Sequence, residues 1–299
     1  MRAMWTDLAM EAQGEGLRTQ RLPGGIERTV VRIEDEAAAE RLGRPMGTYV
    51  TLSCPQELSI ELGTRRALSA ELSRALREML PADAKSVLVA GLGNRSVTPD
   101  ALGPRTVERV LVTRHMDGCL PEDVQRRMGS VCAAAPGVLG VTGIETAEVL
   151  RGLAAHVRPD AVIAVDALAA RSSSRICSTV QVADTGISPG SGVGNHRKAL
   201  TKQTLGVPVI AVGVPMVVYA STIARDAVAV LGGDEAGEDE ERLAACVERV
   251  VSQRLGEMIV TPREVDALVE RLAGIVAEGI NLALHPGLSA EEIAQMMAE

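Results

Sequence analysis

The run VPVIAVGVPMVV, Val207 to Val218, limits what this chain can fold into more than any other stretch. An uncharged, β-branched run of this length reads as a central strand covered on both faces, as in sheets flanked by helices. SVLVA (Ser86 to Ala90) and AVIAV (Ala161 to Val165) repeat the pattern on a smaller scale. Helical patterns separate these runs. Leu58, Ile60, Leu62, Leu68, Leu72, Leu76 and Leu80 mark one from Gln56 to about Leu80. Others are predicted from Pro104 to about Arg114, Ile144 to Val157, Ser221 to Leu231, Glu241 to Leu255 and Pro262 to Ile280. Alternating strands and helices predict an α/β fold, a three-layer α/β/α sandwich.

Smaller β signals surround this frame. RTVVRIED (Arg28 to Asp35) and GTYVTLS (Gly47 to Ser53) alternate as half-buried strands do, which predicts a small extra β region near the N-terminus, about residues 25–55. TVQVAD (Thr179 to Asp184) reads as a further strand leading into a glycine-rich loop, and GGDEAGEDEE (Gly232 to Glu241) as an acidic surface loop. The sequence contains no Phe, one Trp and two Tyr, so aliphatic side chains must fill the core, and aromatic stacking on single-stranded nucleic acid is disfavoured. A net charge of -8 supplies no basic face for phosphate backbones. The five cysteines form no CxxC and read as reduced thiols. Neither a signal-peptide core nor a run of about 18 apolar residues occurs, so a soluble, intracellular protein is expected.

Several motifs carry possible chemistry. GLGNRS (Gly91 to Ser96) resembles a dinucleotide loop, but Ser96 stands where a third glycine or alanine belongs, and Pro99 breaks the helix that should follow. No GK[ST] occurs. Asp184-Thr185-Gly186 matches the tripeptide of pepsin-like proteases, yet that all-β fold needs two such turns, so here it reads as a turn. Ser191 has Pro189 and Val193 where the glycines of a nucleophile elbow belong, and the four histidines form no HExxH, so no metal site is expected. Asp100 and Asp166 remain. Each follows an apolar strand, and adjacent parallel strands would bring both to one sheet edge. Two close carboxylates can share a proton, one activating water while the other protonates substrate. Alternatively, Asp100 caps the helix near Pro104 and Asp166 satisfies a loop amide. Spacing alone leaves both readings open. The loop from Gly190 to Asn195, with Gly190, Ser191, Gly192 and Gly194, is lean enough for its N–H groups to approach a substrate or oxyanion.

Longer stretches narrow the choice. GLGNRSVTPDALGP, PGVLGVTGIETAEVLRG, PDAVIAVDALAARS, DTGISPGSGVGNHRKAL, TLGVPVIAVGVPMVV and VTPREVDALVERLAGIVAEGINLALH, with TDLAMEA at Thr6 to Ala12, together resemble the germination proteases of spore-forming bacteria. The resemblance implies an atypical aspartic endopeptidase with a fold similar to hydrogenase-maturation proteases, and Asp100 and Asp166 as its catalytic pair. It also implies a self-processing zymogen, cut here between Trp5 and Thr6, so that residues 1–5 form a propeptide and 6–299 a single peptidase domain. Small acid-soluble spore proteins would be the substrates and a homotetramer the assembly, in the cytoplasm of forespore and spore core, with no cofactor and no contact with nucleic acid or membrane. One departure is PMVVYA, which places Met216 and Tyr219 where the family has threonine and aspartate. A hydrogenase-maturation-like endopeptidase and a catalytically altered binding protein are the competing readings.

Overall fold

The computed structural model describes residues 6–13, 17–54, 62–190, 197–224, 227 and 258–298. Among the described residues nine strands form one mixed sheet: β1 (Thr19–Arg21), β2 (Glu27–Ile33), β3 (Gly47–Ser53), β4 (Ser86–Gly91), β5 (Ser130–Ala134), β6 (Ala161–Ala170), β7 (Thr179–Ala183), β8 (Val209–Tyr219) and β9 (Ile259–Val260). Their order is β1-β2-β3-β7-β8-β6-β4-β5, with β9 paired to β8. β5, β4, β6 and β8 run parallel to their neighbours within that group, whereas β8–β7, β7–β3, β3–β2 and β2–β1 are antiparallel. The predicted N-terminal strands are thus the outer wing of the central sheet rather than a sheet of their own, because β3 pairs with β7 along its length.

The main helices are α1 (Ala9–Gln13), α2 (Glu36–Leu42), α3 (Leu62–Met79), α4 (Leu102–Val107), α5 (Thr146–Val157), α6 (Val265–Leu284) and α7 (Ala290–Ala298). α3, α4 and α6 cover one face, where Leu68, Leu72, Leu102, Leu272 and Val276 pack on Val87, Val89, Ile163, Val165 and Val212. On the other face the apolar contacts divide into two clusters. Ala147 and Leu150 of α5 meet Leu88, Ala90, Val162 and Ala164 in one; Leu8 and Ala9 meet Val31, Ile33, Leu168 and Ala170 in the other. Helices on both faces complete the α/β/α sandwich. No helix of the described residues is long and apolar enough to cross a membrane.

Two predicted elements differ from those observed. The helix expected from Pro104 to Arg114 is α4, which ends at Val107, because Leu111 N–H is drawn to Asn281 Oδ1 and Thr113 N–H to the Val131 carbonyl. The strand expected to stop at Val165 runs on to Ala170, since β8 keeps pairing with it through Val218. Asp166 therefore lies within β6 and not at its end. Of the helix predicted for residues 221–231, residues 221–224 and 227 are helical; its other residues, the acidic loop 232–241, the helix 241–255 and the start of the 56–80 helix through Glu61 lie outside the described residues.

Candidate active site

β4 leaves the sheet just after Gly91, which pairs with Val165, and Leu92 N–H still reaches the Val165 carbonyl at 2.8 Å. The chain then folds back over the start of α4. Gly93 has φ +105°, and a Cβ there would stand 2.0 Å from the Asp100 carbonyl oxygen, so glycine is required. A Cβ at Gly91 would likewise meet the Gly103 carbonyl at 2.3 Å. The glycines of GLGN thus serve close packing of loop on helix. Asp100 ends a tight 3-10 turn, Thr98–Asp100, and Asp100 Oδ2 accepts the Asn94 N–H at 2.7 Å. The residue capping α4 is Ala101, with no side-chain bond, so Asp100 does not act as the cap.

Asp166 occupies the sheet face carrying Val162 and Ala164 on one side of it and Leu168 and Ala170 on the other, and so fills the seam between the two apolar clusters of that face. It is 4% exposed, and Asp166 Oδ1 accepts the N–H of Ala167 at 2.9 Å. Both acids line one cavity of about 240 Å³, together with Asp7, Gly93, Val97, Pro99, Val138, Pro189, Gly190, Arg197 and Val217. Burial pushes the Asp166 carboxyl well above the usual carboxylate range; negative charge on Asp100 and Asp7 adds to the rise, against smaller opposition from the Ala167 N–H and Arg197. Burial also raises Asp100, but the Asn94 N–H and Arg197 restrain it. Of the two, Asp166 therefore holds its proton more firmly, and Asp100 ionises first.

The remaining predicted residues fall into place or outside view. Gly190 lines the cavity with φ +71°, whereas Trp5, Ser191, Gly192 and Gly194 lie outside the described residues. Thr6 borders a second groove that shares Asp7 and Leu168 with the cavity. Asp184 is a turn residue, accepting the Thr48 N–H at 2.8 Å and so tying β7 to β3. Met216 is packed in the core on the face of α3 and α6, and neither it nor Tyr219 lines the cavity. Among the described residues no group of three or more His, Cys, Asp or Glu is arranged to hold a metal ion.

Asp7 is the acid that motif reading missed. Its N–H donates to the Ala169 carbonyl and its Oδ2 accepts the Ala169 N–H, both at 2.9 Å, while Gln181 clamps the Asp7 carbonyl and the Ala9 N–H. Four residues on, Glu11 accepts the N–H groups of Arg171 and Ser172. TDLAMEA was the available signal, but nothing in it shows which strand it meets.

The sequence is similar to known proteins along nearly its whole length. The germination protease family model matches residues 8–234 and 229–297. A germination protease of Caldanaerobacter subterraneus subsp. tengcongensis is 42% identical over 98% of this chain and 97% of its own length. That of Clostridium acetobutylicum is 40% identical over 98% of each chain, and that of Bacillus cereus 39% over 94% and 93%. Among solved structures, a NiFe hydrogenase maturation protease, HycI, from Thermococcus kodakarensis KOD1 aligns with 60% of this chain and 97% of its own, at 19% identity and a TM-score of 0.32.

Proposed function

The chain belongs to the germination protease family and is a peptidase, and from that premise we propose that it is an atypical aspartic endopeptidase that degrades small acid-soluble spore proteins. The observation that carries the aspartic reading is the unequal pair in one cavity: Asp166, buried and held well above the usual carboxylate range, and the less buried Asp100. In this mechanism Asp100, ionised, takes a proton from a water whose oxygen attacks the scissile carbonyl carbon. Asp166 gives its proton to the carbonyl oxygen, so the tetrahedral intermediate is a neutral gem-diol and the negative charge passes from Asp100 to Asp166. As the carbon–nitrogen bond breaks, Asp100 passes its proton to the leaving amine and a hydroxyl proton of the intermediate returns to Asp166. Arg197 steadies the ionised Asp100, and the Gly190 region borders the space the substrate would enter.

The same reading makes the protein a zymogen that removes residues 1–5 by cutting between Trp5 and Thr6, leaving 6–299 as a single peptidase domain. It would assemble as a homotetramer in the cytoplasm of forespore and spore core. To test it, the purified full-length chain is incubated with a small acid-soluble spore protein between about pH 4 and pH 8, a range spanning ordinary and raised carboxyl values. Discrete fragments and a new N-terminus at Thr6 are expected. An intact substrate at every pH would overturn the activity, and a different new terminus would overturn the processing site.

A further inference from the structure

The cavity holds a second feature besides its acids, an open stretch of strand edge. β4 covers β6 only as far as Val165, and among the described residues no strand lies along that side of β6 from Asp166 to Ala170. Inner strands rarely leave main-chain groups unpartnered. Here side chains stand in for the missing strand: Asp166 takes the N–H of Ala167, Asp7 takes that of Ala169, and Glu11 takes those of Arg171 and Ser172. Asp7 also donates its own N–H to the Ala169 carbonyl, so at this residue the N-terminal segment supplies one main-chain bond of an added strand while the Asp7 side chain supplies the other. Ala167, Leu168 and Ala169 all line the cavity that contains Asp100 and Asp166.

Resting on the peptidase reading, we propose that this edge of β6 is the main-chain docking site for the polypeptide substrate, which binds extended across Ala167 and Ala169 and displaces the Asp7 segment. An extended peptide on an edge gains one hydrogen-bonded pair at every second residue, whatever its side chains, which suits an enzyme acting on unfolded protein. It would also place a peptide bond beside Asp166, the last residue before the occupied stretch.

The test uses the full-length chain carrying Asp100→Asn, so that no turnover intervenes, with and without Asp7→Ala. The probe is a fluorescein-labelled peptide of residues 1–13, MRAMWTDLAMEAQ, which contains Asp7 and Glu11, the two residues bonded to the edge. In the chain with Asp7 intact, its own segment competes at high effective concentration. Asp7→Ala is expected to tighten probe binding by about tenfold, the worth of one hydrogen bond to a charged group. N-methylation of the probe at Asp7 should reverse that gain, whereas N-methylation at Met10 should not. Asp7→Asn, which keeps an accepting oxygen, should lie closer to the parent and guards against misfolding of the alanine variant. A small acid-soluble spore protein should displace the probe. Equal affinity for all variants or equal loss for both methylations would overturn the assignment, whereas failure of the spore protein alone to compete would overturn the proposed substrate. Because nothing is cleaved, this outcome is separable from a failure of the peptidase reading.

Discussion

The two halves of the sheet have different tasks. In the parallel half β8 is buried from Val209 to Val218, and β6 is buried at every residue but Ala167. In the antiparallel half β2 alternates between buried and partly exposed residues and β1 is exposed throughout. Parallel strands bring all their carboxyl ends to one edge, so the loop after β4 and the acid within β6 converge. Antiparallel strands scatter their ends, and that wing contributes packing and hydrogen bonds. The wing reaches the site indirectly, through Gln181 of β7, which bonds the Asp7 segment, and through Val31 and Ile33 of β2, which pack on Leu8 and Ala9.

The sharpest way to break this division is to strike each half once. Asp100→Asn and Asp166→Asn, both in the parallel half, should each lower kcat for spore-protein cleavage by about 10²–10⁴-fold while circular dichroism stays native. In the antiparallel half, Leu52→Ala removes a fully buried side chain of β3 and should cost about 2–5 kcal/mol in urea unfolding, with kcat of the folded fraction unchanged. A loss of kcat there would show that the wing shapes the chemistry. The smallest effect concerns pH. The native state holds the Asp166 proton more tightly than the unfolded chain does, so its contribution to stability is full below the ordinary carboxyl range and is lost as pH rises through the raised pKa. Asp166→Asn should therefore flatten that decline, leaving the inactive variant with the higher Tm on the alkaline side. Asp160, just before β6, has the opposite sign: N–H bonds from Ser86 and Lys85 hold it below the ordinary range, so its contribution is lost as pH falls.

Much of this was legible. GTYVTLS matches β3 residue for residue, and the runs around Val89, Ile163 and Val212 became the inner strands because burial on both faces leaves an unbroken apolar record. Asp100 and Asp166 could be paired from their positions after two such runs. β5, SVCAA, was missed because an edge strand of small, half-buried residues carries little pattern. α2 was missed despite local signals: Asp35, read as the end of a strand, accepts the Ala38 N–H as an N-cap, and Gly43 closes the helix with φ +61°. α7 likewise begins with a reciprocal pair, Ser289 and Glu292. Asp7 was beyond reach in kind, since its partner Ala169 is 162 residues away and the bond depends on where β4 happens to stop.

The unfinished side of β6 also bears on how the protein keeps to itself. A bare strand edge flanked by apolar side chains invites pairing with another molecule, and natural proteins cover such edges with charge or with chain. Residues 6–13 supply both, placing Asp7 and Glu11 along the stretch beside Leu168. A chain trimmed past Glu11 should therefore reveal itself first by self-association in light scattering, before any change in its chemistry is measured.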